Sequence, residues 1–114
     1  MSCGGEVQGD VIDFPSNGVN YGNNMDCRWT IKRNYSFYLH FTRFDLERHH
    51  NCVWDFLRVN NGTKMCGNET HLVNENKGVV AEADVIFHSD GSVVGKGFRV
   101  EIRMLGKRDL LVEV

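Results

Sequence analysis

The chain has no C-x-x-C pair, no zinc-ribbon spacing and no apolar run long enough to cross a membrane as a helix. Its four cysteines, Cys3, Cys27, Cys52 and Cys66, stand apart from one another, so neither a redox dithiol nor a four-cysteine zinc site is indicated. No signal peptide precedes Met1-Ser2; if secreted, the chain is expected to be a mature or excised segment of a longer protein. A basic surplus is missing too. The formal net charge is −2, and Lys and Arg are scattered apart from Lys107-Arg108. That balance gives no footing for nucleic acid or for general adhesion to membranes. Repeats, low-complexity linkers and any convincing amphipathic helix are also absent. There is no strained nucleophile turn, phosphate-cradling glycine loop or metal motif with an open position, so the domain is read as non-enzymatic.

What is present is period-two alternation, again and again. Cys27, Trp29 and Ile31 alternate with Arg28, Thr30 and Lys32; Phe37, Leu39 and Phe41 alternate with Tyr38, His40 and Thr42. Leu57 and Val59 flank Arg58, Val85 and Phe87 alternate with Asp84 and His88, and Phe98, Val100 and Ile102 with Arg99, Glu101 and Arg103. Such runs turn one face to a core and the other to water, as antiparallel sheets do. Turn-prone clusters separate them, at Ser16-Asn17-Gly18, Tyr21-Gly22-Asn23-Asn24, Asn60-Asn61-Gly62, Asn74-Glu75-Asn76-Lys77-Gly78 and Ser89-Asp90-Gly91-Ser92. A chain of 114 residues, 41% hydrophobic and 25% charged, suffices for one core. The spacing of strands and turns predicts an all-β sandwich over residues 3–105, with 106–114 as a tail, linker or added strand.

An even cysteine count and three glycosylation sequons, at Asn34, Asn61 and Asn68, favour a chain that is secreted or forms the extracellular part of a membrane protein. Of three possible connectivities, Cys3–Cys27 with Cys52–Cys66 is preferred because each bridge closes a short loop. Each stabilises by roughly 2–4 kcal/mol, chiefly by constraining the unfolded chain.

One stretch carries possible chemistry. In Phe44-Asp45-Leu46-Glu47, followed by Cys52 and Val53-Trp54-Asp55, two acids sit at the ends of a short loop around a cysteine. Carboxylates that converge repel one another, and a hard cation relieves that repulsion. Zinc at His49, His50 and Cys52 is disfavoured, since adjacent histidines on a strand point oppositely and Cys52 is expected in a disulfide. His49 and His50 are read as solvated loop residues.

The ordered set of motifs resembles the CUB domain. It comprises Cys3-Gly4-Gly5, then Tyr21 and Asn23-Asn24 before Cys27-Arg28-Trp29-Thr30-Ile31, then Phe41 and Phe44-Asp45-Leu46-Glu47. Cys52, Asp55, Leu57, Val59, Cys66-Gly67, Phe87-His88-Ser89-Asp90-Gly91-Ser92 and Gly97-Phe98 complete it. The resemblance implies a jelly-roll-like sandwich of two antiparallel sheets and the same local disulfide pairing. It also implies a non-catalytic module of an extracellular mosaic protein, a protease or a receptor, that binds proteins and sometimes dimerises.

A calcium-binding subset of that family keeps an acidic cluster at one end of the sandwich. Similarity to it implies Glu47, Asp55 and Asp90 as Ca²⁺ ligands, Ser92 as a nearby oxygen donor, and Tyr21 as the aromatic orienting an acid. Val93 departs from the pattern, which often has Asn there. The implied partner is an extracellular protein whose Lys or Arg enters among Tyr21, Glu47, Trp54, Asp55 and Asp90. Alternatives are a structural or homodimerising module in which calcium only stiffens one end, contacting neighbouring domains, and, more weakly, carbohydrate binding. Asn61 and Asn68 lie away from the acids in sequence, so glycans there need not block them.

Overall fold

The computed structural model describes residues 3–16, 18–68, 70 and 80–104. The turn expected at 74–78 and the tail at 106–114 lie outside the described residues. The named elements are all strands: β1 (Gly5–Glu6), β2 (Val11–Phe14), β3 (Asp26–Asp45), β4 (Phe56–Val59), β5 (Val80–His88) and β6 (Gly97–Met104).

β3 belongs to both layers of the sandwich. From Asp26 to Lys32 it pairs antiparallel with β5, and from Phe37 to Asp45 with β6, with a break of register between Lys32 and Phe37. β1, β3, β5 and β4 therefore make one layer, and β2, β6 and the second half of β3 the other, joined as one continuous ladder. Aromatic contacts span the two: Trp29 of the first meets Phe98 of the second at 5.3 Å between ring centroids, and Phe14 meets Phe87 at 5.5 Å. The inward residues of every alternating run named above are buried or nearly so, which is the hydrophobic burial that drives the two layers together.

Two details depart from simple alternation. β1 is parallel to β3, not antiparallel, with Gly5 opposite Trp29 and Glu6 opposite Thr30. The Cys3–Cys27 bridge is in register with this pairing: its sequence separation of 24 equals the offset of those pairs (29 − 5 = 24), so it fastens the chain start beside the start of β3. The second departure is a bulge. Phe41 faces Val100 and Arg43 faces Arg99, so Thr42 is an extra residue. One extra residue flips the side-chain parity. Phe44 and Leu46 thereby turn inward, where uninterrupted alternation from Phe41 would have put Asp45 and Glu47.

Because β3 leaves one end of the sandwich and returns to it, Asp26 and Asp45 lie at the same end, beside His88 and Gly97 respectively. His88 also pairs with Phe56, the first residue of β4. The loops at 15–25, 46–55 and 89–96 all open there. Gly97 makes the last of these possible. Its φ is +82°, and a Cβ on it would collide with the carbonyl oxygen of Phe14. In the same loop Val93 has a φ of +57° and is 62% exposed; a β-branched residue rarely adopts that conformation.

Gly97→Ala is expected to lower unfolding stability by more than about 2 kcal/mol. Gly9→Ala, where a Cβ meets nothing within 4 Å, should stay within about 0.5 kcal/mol of the parent; equal effects in denaturant titrations would refute the close-approach account. Val93→Asn, measured in EDTA so that no cation contributes, should stabilise by about 1 kcal/mol, since Asn tolerates the left-handed region. A neutral or destabilising result would mean that Val93 stores no strain.

Candidate functional site

Two of the three loops are joined by bonds that involve no carboxylate. The Tyr21 N–H donates to the Gly95 carbonyl at 3.1 Å, and the Asn24 N–H to the Asp90 carbonyl at 2.7 Å. Ser89 is buried, and its hydroxyl donates to the Gly22 carbonyl at 2.8 Å while accepting the Met25 N–H at 2.9 Å. The loop after β3 is tied on its other side: Leu46 and Gly67 exchange backbone hydrogen bonds of 2.9 and 3.2 Å, and Cys52–Cys66 closes the loop.

Tyr21 sits at the junction. Its ring packs edge-on against Phe87 at 4.9 Å, and its hydroxyl makes two contacts. It donates to Asp55 Oδ2 at 2.5 Å and accepts the Glu47 N–H at 3.2 Å. The phenol thus orients one acid through its carboxylate and the other through its backbone. Burial first, and then the bond to Asp55, push the Tyr21 phenol well above its ordinary pKa, so it stays a donor at every physiological pH.

Glu47, Asp55 and Asp90 come together: each offers a carboxylate oxygen, and these oxygens lie within 4.8 Å of one another. Asp55 is fully buried, at 0% exposure. Its Oδ1 accepts the Asp90 N–H at 2.9 Å, which leaves each oxygen a further lone pair. Desolvation raises the Asp55 pKa; the bonds from Tyr21 and the Asp90 N–H oppose the rise, and the Asp90 charge adds to it. Glu47 is raised as well, by desolvation and then by the charges of Asp90 and Asp55. Its Oε1 is buried and has no hydrogen-bond partner. Three carboxylates, one oxygen without a partner and no counter-cation among them suit a hard divalent ion with oxygen ligands, and calcium above magnesium, since calcium accepts irregular shells.

Other expected residues fall around this cluster. Ser92 is exposed and donates its N–H to Asp90 Oδ1 at 3.3 Å. Trp54 is 44% exposed, with the His49 ring edge-on to it at 4.3 Å. His49 and His50 do not point oppositely as a strand would require. They lie in a loop and stack at 4.5 Å with 24° between planes. Among the described residues neither joins a group able to hold a metal. Asn34 is exposed on the bend of β3, at the far end. Asn68 lines the same cleft as Glu47, nearer to it than its place in the chain suggests, because the Leu46–Gly67 pair brings the two segments alongside. Sequence reasoning missed Ser89 and Gly95. Ser89 was read as part of a turn and of the family motif but given no role of its own, and the need for glycine at 95 arises from the Asp45 carbonyl, against which a Cβ would collide.

Comparison with known proteins agrees with this architecture. The family model described as "CUB domain" matches residues 3–102. Cubilin of Rattus norvegicus is 34% identical over 116 aligned residues, which cover 90% of this chain and 3% of cubilin. The full extracellular region of zebrafish Gpr126/Adgrg6 superposes with a TM-score of 0.68 at 26% identity, covering 92% of this chain and 15% of that one. The MASP-1 CUB2 domain bound to Ca²⁺ gives a TM-score of 0.63 at 22% identity over 82% of this chain and 90% of its own. The chain thus spans only a small fraction of cubilin's length. With the match running almost from end to end of the described strands, the chain belongs to the CUB domain family, whose domains are non-catalytic modules.

Proposed function

We propose that this domain is an extracellular protein-interaction module in which Ca²⁺, held by Glu47, Asp55 and Asp90, readies those acids to bind a Lys or Arg of a partner protein. The observation that carries the reading is the convergence of three carboxylates within 4.8 Å around a buried Glu47 oxygen that has no partner. The two disulfides suit an oxidising compartment. The similar Gpr126/Adgrg6 structure is an extracellular region, and the similar MASP-1 CUB2 domain is bound to Ca²⁺.

Bound calcium supplies the positive charge that lets three acids remain ionised side by side. The chain's own groups do the rest. Tyr21 and the Asp90 N–H hold both oxygens of Asp55 in fixed directions, so no side-chain freedom is lost there when a ligand arrives. Glu47 and Asp90 are partly exposed, and their carboxylates meet at the same point. Their remaining lone pairs can accept charge-assisted hydrogen bonds from an ammonium or guanidinium group. Ser92, exposed, bonds Asp90 through its N–H, and Trp54, next to Asp55 in the chain, offers an exposed ring against which an aliphatic stem can lie.

Calcium at a hundredfold above its Kd should stabilise the domain by about 2.7 kcal/mol, a rise in Tm on the order of 10 °C. Asp90→Ala removes a carboxylate while keeping the backbone contacts of residue 90. It should abolish that rise, together with calcium-dependent capture by an immobilised lysine-containing peptide. Peptide capture that survives both EDTA and Asp90→Ala would end the recognition reading.

The pH dependence without calcium has a definite sign. Folded Glu47 and Asp55 hold protons more tightly than they do in the unfolded chain. Their contribution to stability therefore falls as pH rises from the ordinary carboxylate range through their raised folded pKa values. In EDTA, Glu47→Gln should flatten this decline in Tm above pH 4 to 5, relative to the parent. With calcium the sign inverts, because protons and the ion compete for the same oxygens. Parallel Tm–pH curves for parent and variant in EDTA would show that Glu47 is not electrostatically burdened.

A further inference from the structure

We propose that Asn68 carries an N-linked glycan standing over the acidic end of the sandwich, where it restricts the approach of large partners while leaving calcium binding untouched. The inference rests on the reading of that end as the partner site. Asn68, Glu69 and Thr70 form a sequon, and Asn68 is exposed. It shares a cleft of about 210 Å³ with Glu47, Arg48, Gly67 and Gly95. The backbone pairing of Leu46 with Gly67 fixes that proximity, and Cys52–Cys66 locks it covalently.

The carboxamide is also oriented. Arg48 Nη2 donates to Asn68 Oδ1 at 2.9 Å, which engages the oxygen and leaves the nitrogen on the other branch of the amide. Glycosylation uses that nitrogen. Asn68 Nδ2 forms a bond to the anomeric carbon of a polyisoprenyl-diphosphate-linked oligosaccharide, the carbon–oxygen bond to the diphosphate breaks, and one amide proton leaves. The oxygen is not consumed, so the Arg48 bond survives and holds the first sugar against the rim of the cleft. Metal ions pass such a glycan freely, as does a single side chain on a short peptide. A folded partner cannot approach Glu47 without displacing it.

The other sequons serve as internal controls. Asn34 lies on the β3 bend at the opposite end, and Asn61 in the turn after β4. The domain should be secreted from a glycosylating host and compared in four forms: parent, parent trimmed by an endoglycosidase to one sugar, Asn68→Gln and Asn34→Gln. Peptide mass mapping should find Asn68 occupied. Calcium Kd by calorimetry and binding of a soluble lysine-containing peptide should agree within about twofold in all four. Capture by beads about 50 nm across bearing the same peptide should rise at least fivefold in the trimmed and Asn68→Gln forms only. An unmodified Asn68, or equal bead capture by all forms, overturns the gate. Failure of the soluble peptide to bind any form in calcium overturns the partner reading, and the gate falls with it.

Discussion

The hydrogen bond from Tyr21 to buried Asp55 is the constraint on which the functional end depends. A carboxylate with no exposure costs several kcal/mol unless its oxygens are satisfied. Here one oxygen is met by a phenol and the other by the Asp90 amide. Meeting both demands brings three loops to one point: the loop with Tyr21, the loop ending at Asp55, and the loop that starts after β5. The Tyr21 ring reaches the core through Phe87, so the polar junction is built directly on the packed aromatics and inherits their rigidity.

From that junction the remaining features follow in order. Glu47 is placed by its own backbone bond to the same phenol, which leaves its side chain free to face Asp90. The cost of the arrangement appears as raised carboxyl pKa values and an oxygen without a partner. Such a cluster is poised for a cation: binding is favoured both by the new contacts and by relief of repulsion already present. Val93, in the left-handed region on the same loop as Asp90, is a second reserve of strain at this end of the molecule.

The opposite end is plain by comparison. There β3 bends from one layer into the other, carrying Asn34 on an exposed stretch. The outer face of the second layer is laced with ion pairs such as Arg103–Glu101 at 2.6 Å, which are solvent-exposed and contribute little to stability. Polar chemistry that is buried or strained concentrates where the loops meet, and the proposed binding role belongs there.

Much of this was legible in the residues. Period-two alternation identified β3, β4, β5 and β6, though not β1 or β2, because burying one face of a pleated ribbon needs nothing beyond side-chain spacing. The ordered motifs from Cys3-Gly4-Gly5 to Gly97-Phe98 pointed to the family, and with it to Glu47, Asp55, Asp90 and Tyr21. Three things depended on long-range geometry that no local pattern encodes. The Thr42 bulge reverses parity, turning Phe44 and Leu46 inward and releasing Glu47 toward the loops. β1, two residues long, runs parallel to β3 in register with the Cys3–Cys27 bridge. The nearness of Asn68 to Glu47 follows from one backbone pair between Leu46 and Gly67. The sequence by itself determined which residues are apolar, acidic or able to turn. Only the tertiary structure decided which of them meet, because contacts between distant segments are set by how the two layers close, not by spacing along the chain.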